Sequence, residues 1–305
     1  MRYLFFHIPK VAGTSIIATL PEQRWHNGPF AEHYTSDLFG SDPYLRPAKT
    51  WPCMHKHTGT IHKEAGKELT EKIKEKFYVN KIYHLTLTQM FEVGLITPEQ
   101  FDDHFTFCFV RNPWDRMLSV WTTLVTSVYE KVAKQGLKAP DDYWDSQLSV
   151  DTFSRKLLTR EIRWISRDVP EWYYKPYHRI HIVDLASNQF RFINPGENTS
   201  HLPKNKIAKL SYGANHMVPQ NLYTHCWRSG KKVDFIGRYE NLENDFKVVA
   251  KELGLGNNVS LPHINSFSSK RKGKHYTEFY TKEARDMVAE IYADDIKMFG
   301  YEFGK

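Results

Sequence analysis

Short apolar runs, each ended by proline, small residues or charged residues, recur along this chain. Residues 3–8 are apolar without helical periodicity, Pro9 ends the run, and small residues lead into a second apolar stretch at 16–20. This order predicts a strand, a tight loop and a helix. Because the first run does not alternate with polar residues, we expect the strand to be covered on both faces, as in a parallel sheet.

A second strand–loop–helix unit is predicted in the middle of the chain. Residues 105–110 have the clearest strand pattern, residues 111–116 interrupt it, and residues 117–129 favour a helix. Upstream of this unit, residues 63–76 favour a solvated helix, and residues 77–87 favour a strand that ends near His84.

Caps and periodicity predict the remaining elements. Thr97, Pro98 and Gln100 have the pattern of a helix start. We also expect short helices and loops over 138–230, a strand at 232–236, and a helix at 242–253 that ends at Gly254. The last helix, at 281–299, is capped by Thr281, and its expected buried face consists of Ala284, Val288, Ile291 and Ile296.

Strands that alternate with helices, without an internal repeat or a low-complexity linker, predict an α/β fold. We expect a parallel sheet flanked by helices, in a single domain over residues 1–305. The composition agrees, since 41% hydrophobic and 25% charged residues are typical of a globular chain and exclude disorder over most of it.

The lengths of the apolar runs, the cysteine content and the net charge predict where the protein works and which kind of ligand it binds. No run approaches the roughly 18 apolar residues of a membrane helix, and the first residues lack a signal-peptide cleavage site. The three cysteines, Cys53, Cys108 and Cys226, are too scattered for a disulfide framework and form no CxxC pair for zinc. A cytoplasmic protein with reduced thiols is expected, and the net charge of +7 suits an anionic ligand.

The first candidate site is the loop after the N-terminal strand. Backbone N–H groups at the helix start and the helix dipole favour an anion there. The residues expected to contact it are Lys10, Ala12, Gly13, Thr14 and Ser15. The nucleotide-triphosphatase spacing GxxxxGK[ST] is absent, because the lysine precedes the glycine. An ordinary turn with a surface lysine is the alternative.

The second candidate site follows the strand at 105–110. Arg111 leaves the strand end and Ser119 lies in the following helix, so a bidentate guanidinium and a hydroxyl could reach one phosphate. In open α/β sheets, ligands bind at the carboxyl ends of the strands, where both loops would meet. The alternative is that Arg111 or Arg116 pairs with Asp115 as a structural clamp.

Residues 6–15 resemble the 5′-phosphosulfate loop of sulfotransferases, and residues 109–116 with Ser119 resemble their 3′-phosphate motif. Residues 234–242 and 280–303 are also similar to that family. Together they resemble the carbohydrate branch, which includes heparan and chondroitin O-sulfotransferases and bacterial relatives. The resemblance implies the P-loop-like sulfotransferase fold.

The resemblance also implies the chemistry. The donor would be 3′-phosphoadenosine 5′-phosphosulfate (PAPS), and its sulfuryl group would pass in line to a hydroxyl of a carbohydrate or glycoconjugate, with no metal required. Lys10 stands where the family places the cation that stabilises the bridging oxygen. Arg271 and Lys272 resemble the Arg-Lys-Gly segment that covers the 3′-phosphate.

A histidine suits the role of the base that takes the acceptor proton. In the family this histidine usually falls a few tens of residues before the arginine motif, which favours His84, 27 residues before Arg111. His57 is the alternative, because its stretch His55-Lys56-His57-Thr58 resembles a Lys-His-x-Thr pattern of this branch. His216 and Gln220 resemble a pattern near the acceptor cleft, whereas a plain proline-containing turn would explain them equally well.

Two other functions fit part of the pattern. A P-loop-type kinase would need a lysine after the second glycine and ligands for Mg²⁺, and neither is evident. A nucleic-acid-binding protein would fit the basic charge, but the chain has no concentrated Lys/Arg stripe and no recognised module. The expected partner is therefore a carbohydrate acceptor, with no nucleic acid and no membrane span. The oligomeric state is not predicted.

Overall fold

Strand pairing defines the architecture in a computed structural model of the chain. The structure describes residues 3–20, 85–92, 96–133, 141–158, 179–184, 191–193, 207–212, 214–256, 259–262 and 268–305. The predicted helix at 63–76, His57 and His84 lie outside the described residues, as does most of the predicted strand at 77–87.

Three parallel strands form the first sheet, in the order β1 (Tyr3–Phe6), β2 (Phe105–Val110) and β6 (Phe235–Arg238). Phe6 pairs with Cys108 and Val110 pairs with Arg238, so the three carboxyl ends lie side by side. All four residues of β1 are buried, which confirms the expectation drawn from its continuous apolar run. β6 begins three residues later than the predicted strand.

Helices follow these strands, as the α/β prediction required. The first compact unit comprises Met1–Arg111, Tyr173–Lys175 and Pro219–Asn265. Its helices are α1 (Gly13–Thr19), α2 (Leu87–Glu92), α3 (Pro98–Asp102), α7 (Asn221–Thr224) and α8 (Leu242–Glu252). The predicted cap of α3 is confirmed, because the Thr97 hydroxyl accepts from the Gln100 N–H and the Gln100 side chain accepts from the Thr97 N–H.

The second compact unit comprises Asn112–Trp172, Pro176–Val218 and Ser266–Lys305. Its helices are α4 (Pro113–Ala133), α5 (Tyr143–Gln147), α6 (Val150–Leu158), α9 (Lys282–Ile291) and α10 (Ala293–Phe299). Asn112 ties the two ends of this unit together, because its side-chain amide donates to the carbonyls of Glu302 and Lys305. In the described ranges, no helix combines the length and apolar character needed to cross a membrane.

Two predictions for the second unit are wrong. Residues 138–230 contain an antiparallel sheet of order β4–β3–β5, in which β3 is Arg179–Asp184, β4 is Arg191–Ile193 and β5 is Ile207–Tyr212. β4 has only three residues, and strand preference depends on cross-strand partners, so local periodicity gives a weak signal.

The helix predicted at 281–299 is interrupted at Tyr292, whose hydroxyl donates to the carbonyl of Met217 at 2.7 Å. Thr281, Ala284 and Val288 behave as predicted, with Thr281 as the cap. Ile291 and Ile296 are only half-buried, and Tyr292 and Phe299 take the buried positions instead.

Candidate functional site

The carboxyl edge of the parallel sheet carries the residues that the sequence singled out first. β1 leads into the loop that holds Lys10, β2 is followed directly by Arg111, and β6 is followed directly by Tyr239. These three positions belong to the first unit. Because all three strands point the same way, residues far apart in the chain meet at this edge.

The loop after β1 has an unusual backbone. Lys10 and Ala12 have positive φ values of 71° and 65°, a region that costs an L-residue about 1–2 kcal/mol. The buried side chains of Ile8 and Val11 anchor the loop on either side of Lys10. Such strain persists where the surrounding packing dictates the conformation, and it is concentrated at functional sites.

Gly13, the first residue of α1, has no room for a side chain. A Cβ built on Gly13 would overlap the imidazole ring of His7, so that ring lies directly against the start of α1. Ser15 is buried and Thr14 is exposed in the first turn of α1. The structure thus forms the predicted strand, tight loop and helix around these residues.

Both the backbone and the side chain of Arg111 are fixed by contacts with other residues of the first unit. Its backbone N–H donates to Oε1 of Gln220 and its carbonyl accepts from Nε2 of Gln220, both at 2.8 Å. Its Nη1 donates to the carbonyl of Lys10 at 3.1 Å. Its guanidinium carbon lies 3.9 Å from the centre of the Tyr239 ring, which is a cation–π contact. The first and second predicted sites are therefore in direct contact through Arg111 and Lys10.

Gln220, which was expected near the acceptor, is completely buried. Both ends of its side-chain amide are hydrogen-bonded to the Arg111 backbone. His216, in the second unit, is half-buried, and its carbonyl accepts from Nη2 of Arg116 at 2.9 Å. The same Nη2 donates to the carbonyl of Val218, so the fully buried Arg116 holds the segment that leads into Pro219.

The remaining predicted contacts lie in the second unit. Ser119 is buried in α4. Arg271, in a short 3₁₀ turn at Ser268–Arg271, donates to the Asp115 carboxylate at 2.6 Å, and both side chains are largely buried, with 14% and 13% exposed. Asp115 thus pairs with Arg271 of the basic loop. Lys272 contacts Asp145 at 2.7 Å, but these side chains are 64% and 59% exposed.

Arg271 also has an unused donor. Its Nε is buried and has no hydrogen-bond partner among the described residues. A buried guanidinium N–H without an acceptor costs free energy, and a bound anion would satisfy it. The described part of the chain shows no cluster of three His, Cys, Asp or Glu side chains that could hold a metal ion.

Sequence reasoning missed Tyr239 and the positioning contacts of Gln220. A signal for Tyr239 was present, because it follows the last strand of the sheet as Arg111 follows the middle one. The contact itself depends on the register that pairs Val110 with Arg238, because this register places Arg111 opposite Tyr239.

Comparison with known proteins agrees with this arrangement. The profile of the Sulfotransferase family matches residues 2–302, which includes the β1 loop, the Arg111 motif and the C-terminal helices. No curated protein and no solved structure gives a significant match. Because the family match covers almost the whole length, the chain belongs to the sulfotransferase family, whose members transfer a sulfuryl group to an acceptor.

Proposed function

We propose that this sulfotransferase moves the sulfuryl group of PAPS to a hydroxyl of a carbohydrate or glycoconjugate. The observation that carries the proposal is the contact between Arg111 and the Lys10 loop at the carboxyl edge of the parallel sheet. An arginine at this edge is suited to bind a phosphate in bidentate fashion, and the adjacent loop carries a lysine. A donor with an anionic group at each end fits two neighbouring cationic positions.

The loop after β1 is proposed to hold the 5′-phosphosulfate end of the donor, through Lys10 and residues 12–15. Arg111 and Ser119 are proposed to hold the 3′-phosphate, with Arg271 and Lys272 of the basic loop. The buried, unused Nε of Arg271 supports a role in anion binding. The exposed pair of Lys272 with Asp145 is weak enough to be exchanged for a phosphate contact.

The proposed reaction is an in-line transfer. An acceptor oxygen forms a bond to sulfur while the bond between sulfur and the bridging oxygen breaks, and adenosine 3′,5′-bisphosphate leaves. Negative charge grows on the bridging oxygen, and the Lys10 ammonium group is proposed to stabilise it more in the transition state than in the ground state. As in phosphoryl transfer, positioning and charge stabilisation supply most of the catalysis.

The acceptor hydroxyl must lose its proton during the transfer. His84 is proposed as the base, and His57 remains the alternative because both have the context expected from the family resemblance. Neutral imidazole is the form that accepts the proton, and its ordinary pKa near neutrality suits this role.

The carbohydrate acceptor is proposed from the motif resemblance to the carbohydrate branch, with His216 and Gln220 near the acceptor. The burial of Gln220 favours His216 as the residue of this pair that contacts the acceptor directly.

We also propose that residues 1–305 form a single sulfotransferase domain. The family match across both compact units supports this proposal.

A transfer screen tests the proposed function. The full chain is incubated with PAPS labelled with radioactive sulfur and a panel of polysaccharides, glycolipids and small phenols. Label is expected in one or more polysaccharides or glycolipids. Label in phenols alone would replace the acceptor class and leave the reaction intact, whereas no label in any acceptor would count against sulfuryl transfer from PAPS.

Thermal stabilisation separates the rival functions. Adenosine 3′,5′-bisphosphate is expected to raise the unfolding temperature of the chain by mass action, since it binds the folded state. ATP with Mg²⁺ and a random oligonucleotide are the matched comparisons. Stabilisation by ATP–Mg²⁺ alone would favour a kinase, and stabilisation by the oligonucleotide alone would favour a nucleic-acid-binding protein.

A further inference from the structure

We infer that Gln220 and Tyr239 are positioning residues that orient Arg111 for recognition of the donor's 3′-phosphate. This inference rests on the proposed function, since it requires Arg111 to bind that phosphate. Neither residue is assigned a contact with the donor. Both are expected to act through Arg111, one on its backbone and the other on its side chain.

Gln220 acts on the backbone of Arg111. The last paired residues of β2 and β6 are Val110 and Arg238, so the ladder between these strands ends one residue before Arg111. The Gln220 amide then accepts from the Arg111 N–H and donates to the Arg111 carbonyl, each at 2.8 Å. A primary amide offers this pair of groups in one plane, as a neighbouring strand does. Gln220 therefore takes the place of a neighbouring strand at Arg111, so the backbone of β2 stays hydrogen-bonded for one more residue.

Complete burial makes this arrangement specific. Gln220 is 0% exposed, and a buried amide that lost its partners would pay the cost of desolvation. Replacement by a residue that lacks either the donor or the acceptor leaves one Arg111 backbone group without this partner. The side chain is therefore suited to one orientation of the Arg111 backbone.

Tyr239 acts on the guanidinium of Arg111. The register of the parallel strands makes Arg111 and Tyr239 the next pair beyond Val110 and Arg238. The guanidinium carbon lies over the Tyr239 ring, 3.9 Å from its centre, which is a cation–π contact.

The turn that holds Tyr239 is itself fixed by Asp245. Its carboxylate accepts from the backbone N–H of Arg238 at 2.6 Å and from the side-chain amide of Asn241 at 2.7 Å.

Arg111 is therefore ordered by three partners. Gln220 holds its backbone, the Tyr239 ring lies against its guanidinium, and the Lys10 carbonyl accepts from its Nη1. An arginine that is ordered before the ligand arrives loses less conformational entropy when it binds. The predicted consequence is a preference for nucleotides with a 3′-phosphate over those without one.

Calorimetric titration of the full chain tests the inference. Adenosine 3′,5′-bisphosphate and adenosine 5′-monophosphate are the two probes, and their affinity ratio is the readout. The wild type is expected to prefer the bisphosphate, and Arg111→Ala to lose most of that preference. Tyr239→Leu and Gln220→Met are each expected to lower the preference about tenfold while the affinity for the monophosphate stays constant.

Conservative variants and a stability measurement accompany the titration. Tyr239→Phe keeps the ring face and is expected to restore the preference that Tyr239→Leu loses. Gln220→Asn keeps the amide on a side chain that is one methylene shorter and does not reach both Arg111 backbone groups, and is expected to lower the preference as Gln220→Met does. The unfolding temperature of each sample identifies variants that fail to fold, and the Tyr239 pair then decides the outcome.

The possible failures are distinguishable. If Arg111→Ala loses the preference while Tyr239→Leu and Gln220→Met keep it, the positioning role is overturned and the proposed function stands. Equal losses for both nucleotides in Tyr239→Leu would also overturn it, because general damage to the site does not discriminate between probes. If the wild type shows no preference and Arg111→Ala changes nothing, the proposed function fails.

Discussion

Nη1 of Arg111 donates a hydrogen bond to the backbone carbonyl of Lys10 at 3.1 Å, across 101 positions of sequence. The bond uses the backbone of Lys10, so the lysine side chain and the arginine side chain keep separate roles. A substitution of Lys10 preserves the anchor for Arg111, whereas a substitution of Arg111 removes a partner from the β1 loop. Variants of these two residues therefore have different expected effects.

Lys10→Ala is expected to lower kcat by about 10² to 10³ with little change in the donor KM. The reason is that the ammonium group is proposed to act on charge that develops only in the transition state, while the Lys10 carbonyl still accepts from Arg111. Steady-state kinetics over a range of PAPS concentrations checks this. An unchanged kcat with a raised KM would show that Lys10 only holds the donor.

His84→Ala is expected to lower kcat by about 10² to 10⁴, the usual contribution of general acid–base catalysis, without weakening donor binding. In the wild type, kcat/KM should fall as the pH drops through the pKa of the base in the free enzyme, because only neutral imidazole accepts a proton.

His57→Ala is the matched control and is assayed beside His84→Ala at saturating donor. An inactive His57→Ala with an active His84→Ala would move the assignment to His57. Normal turnover by both would indicate a carboxylate base.

Arg271→Ala is expected to destabilise the fold by about 2 kcal/mol, because it removes a charge-assisted hydrogen bond between two largely buried side chains, those of Arg271 and Asp115. Lys272→Ala is the control, and its exposed pair with Asp145 should contribute no more than about 0.5 kcal/mol. Urea unfolding of the two variants measures the difference.

Donor titration of the same two variants separates stability from binding. Both are expected to bind adenosine 3′,5′-bisphosphate more weakly than the wild type if the basic loop covers the 3′-phosphate. An Arg271→Ala variant that is less stable but binds the bisphosphate normally would assign the Arg271–Asp115 pair a purely structural role.

Ala12→Gly is expected to stabilise the protein by about 1 kcal/mol, because glycine adopts the positive φ of 65° without the steric cost of a Cβ. Ala18→Gly is the control, since Ala18 is exposed within α1 and glycine there should destabilise by about 0.5–1 kcal/mol. Thermal unfolding of both variants checks the opposite signs. A destabilised Ala12→Gly would show that the Ala12 methyl group contributes more to packing than the backbone conformation costs.

The elements that carry local signals were predictable. The bounds of β2 and the cap of α3 agree with the sequence predictions, because a run of apolar residues and a Thr-Pro-x-Gln start act over a few neighbouring positions. The antiparallel sheet over residues 179–212 was missed, because its strands are stabilised by partners that a local pattern does not reveal.

The sequence by itself determined the strand–loop–helix units and the identity of Lys10 and Arg111 as candidate anion-binding residues, since both follow directly from residue types at strand ends. Only the tertiary structure decided that Arg111 lies on the Lys10 carbonyl, between the Gln220 amide and the Tyr239 ring. These contacts join segments more than 100 positions apart. They depend on the parallel register of β1, β2 and β6 and on burial of Gln220, which arise only when distant parts of the chain pack together.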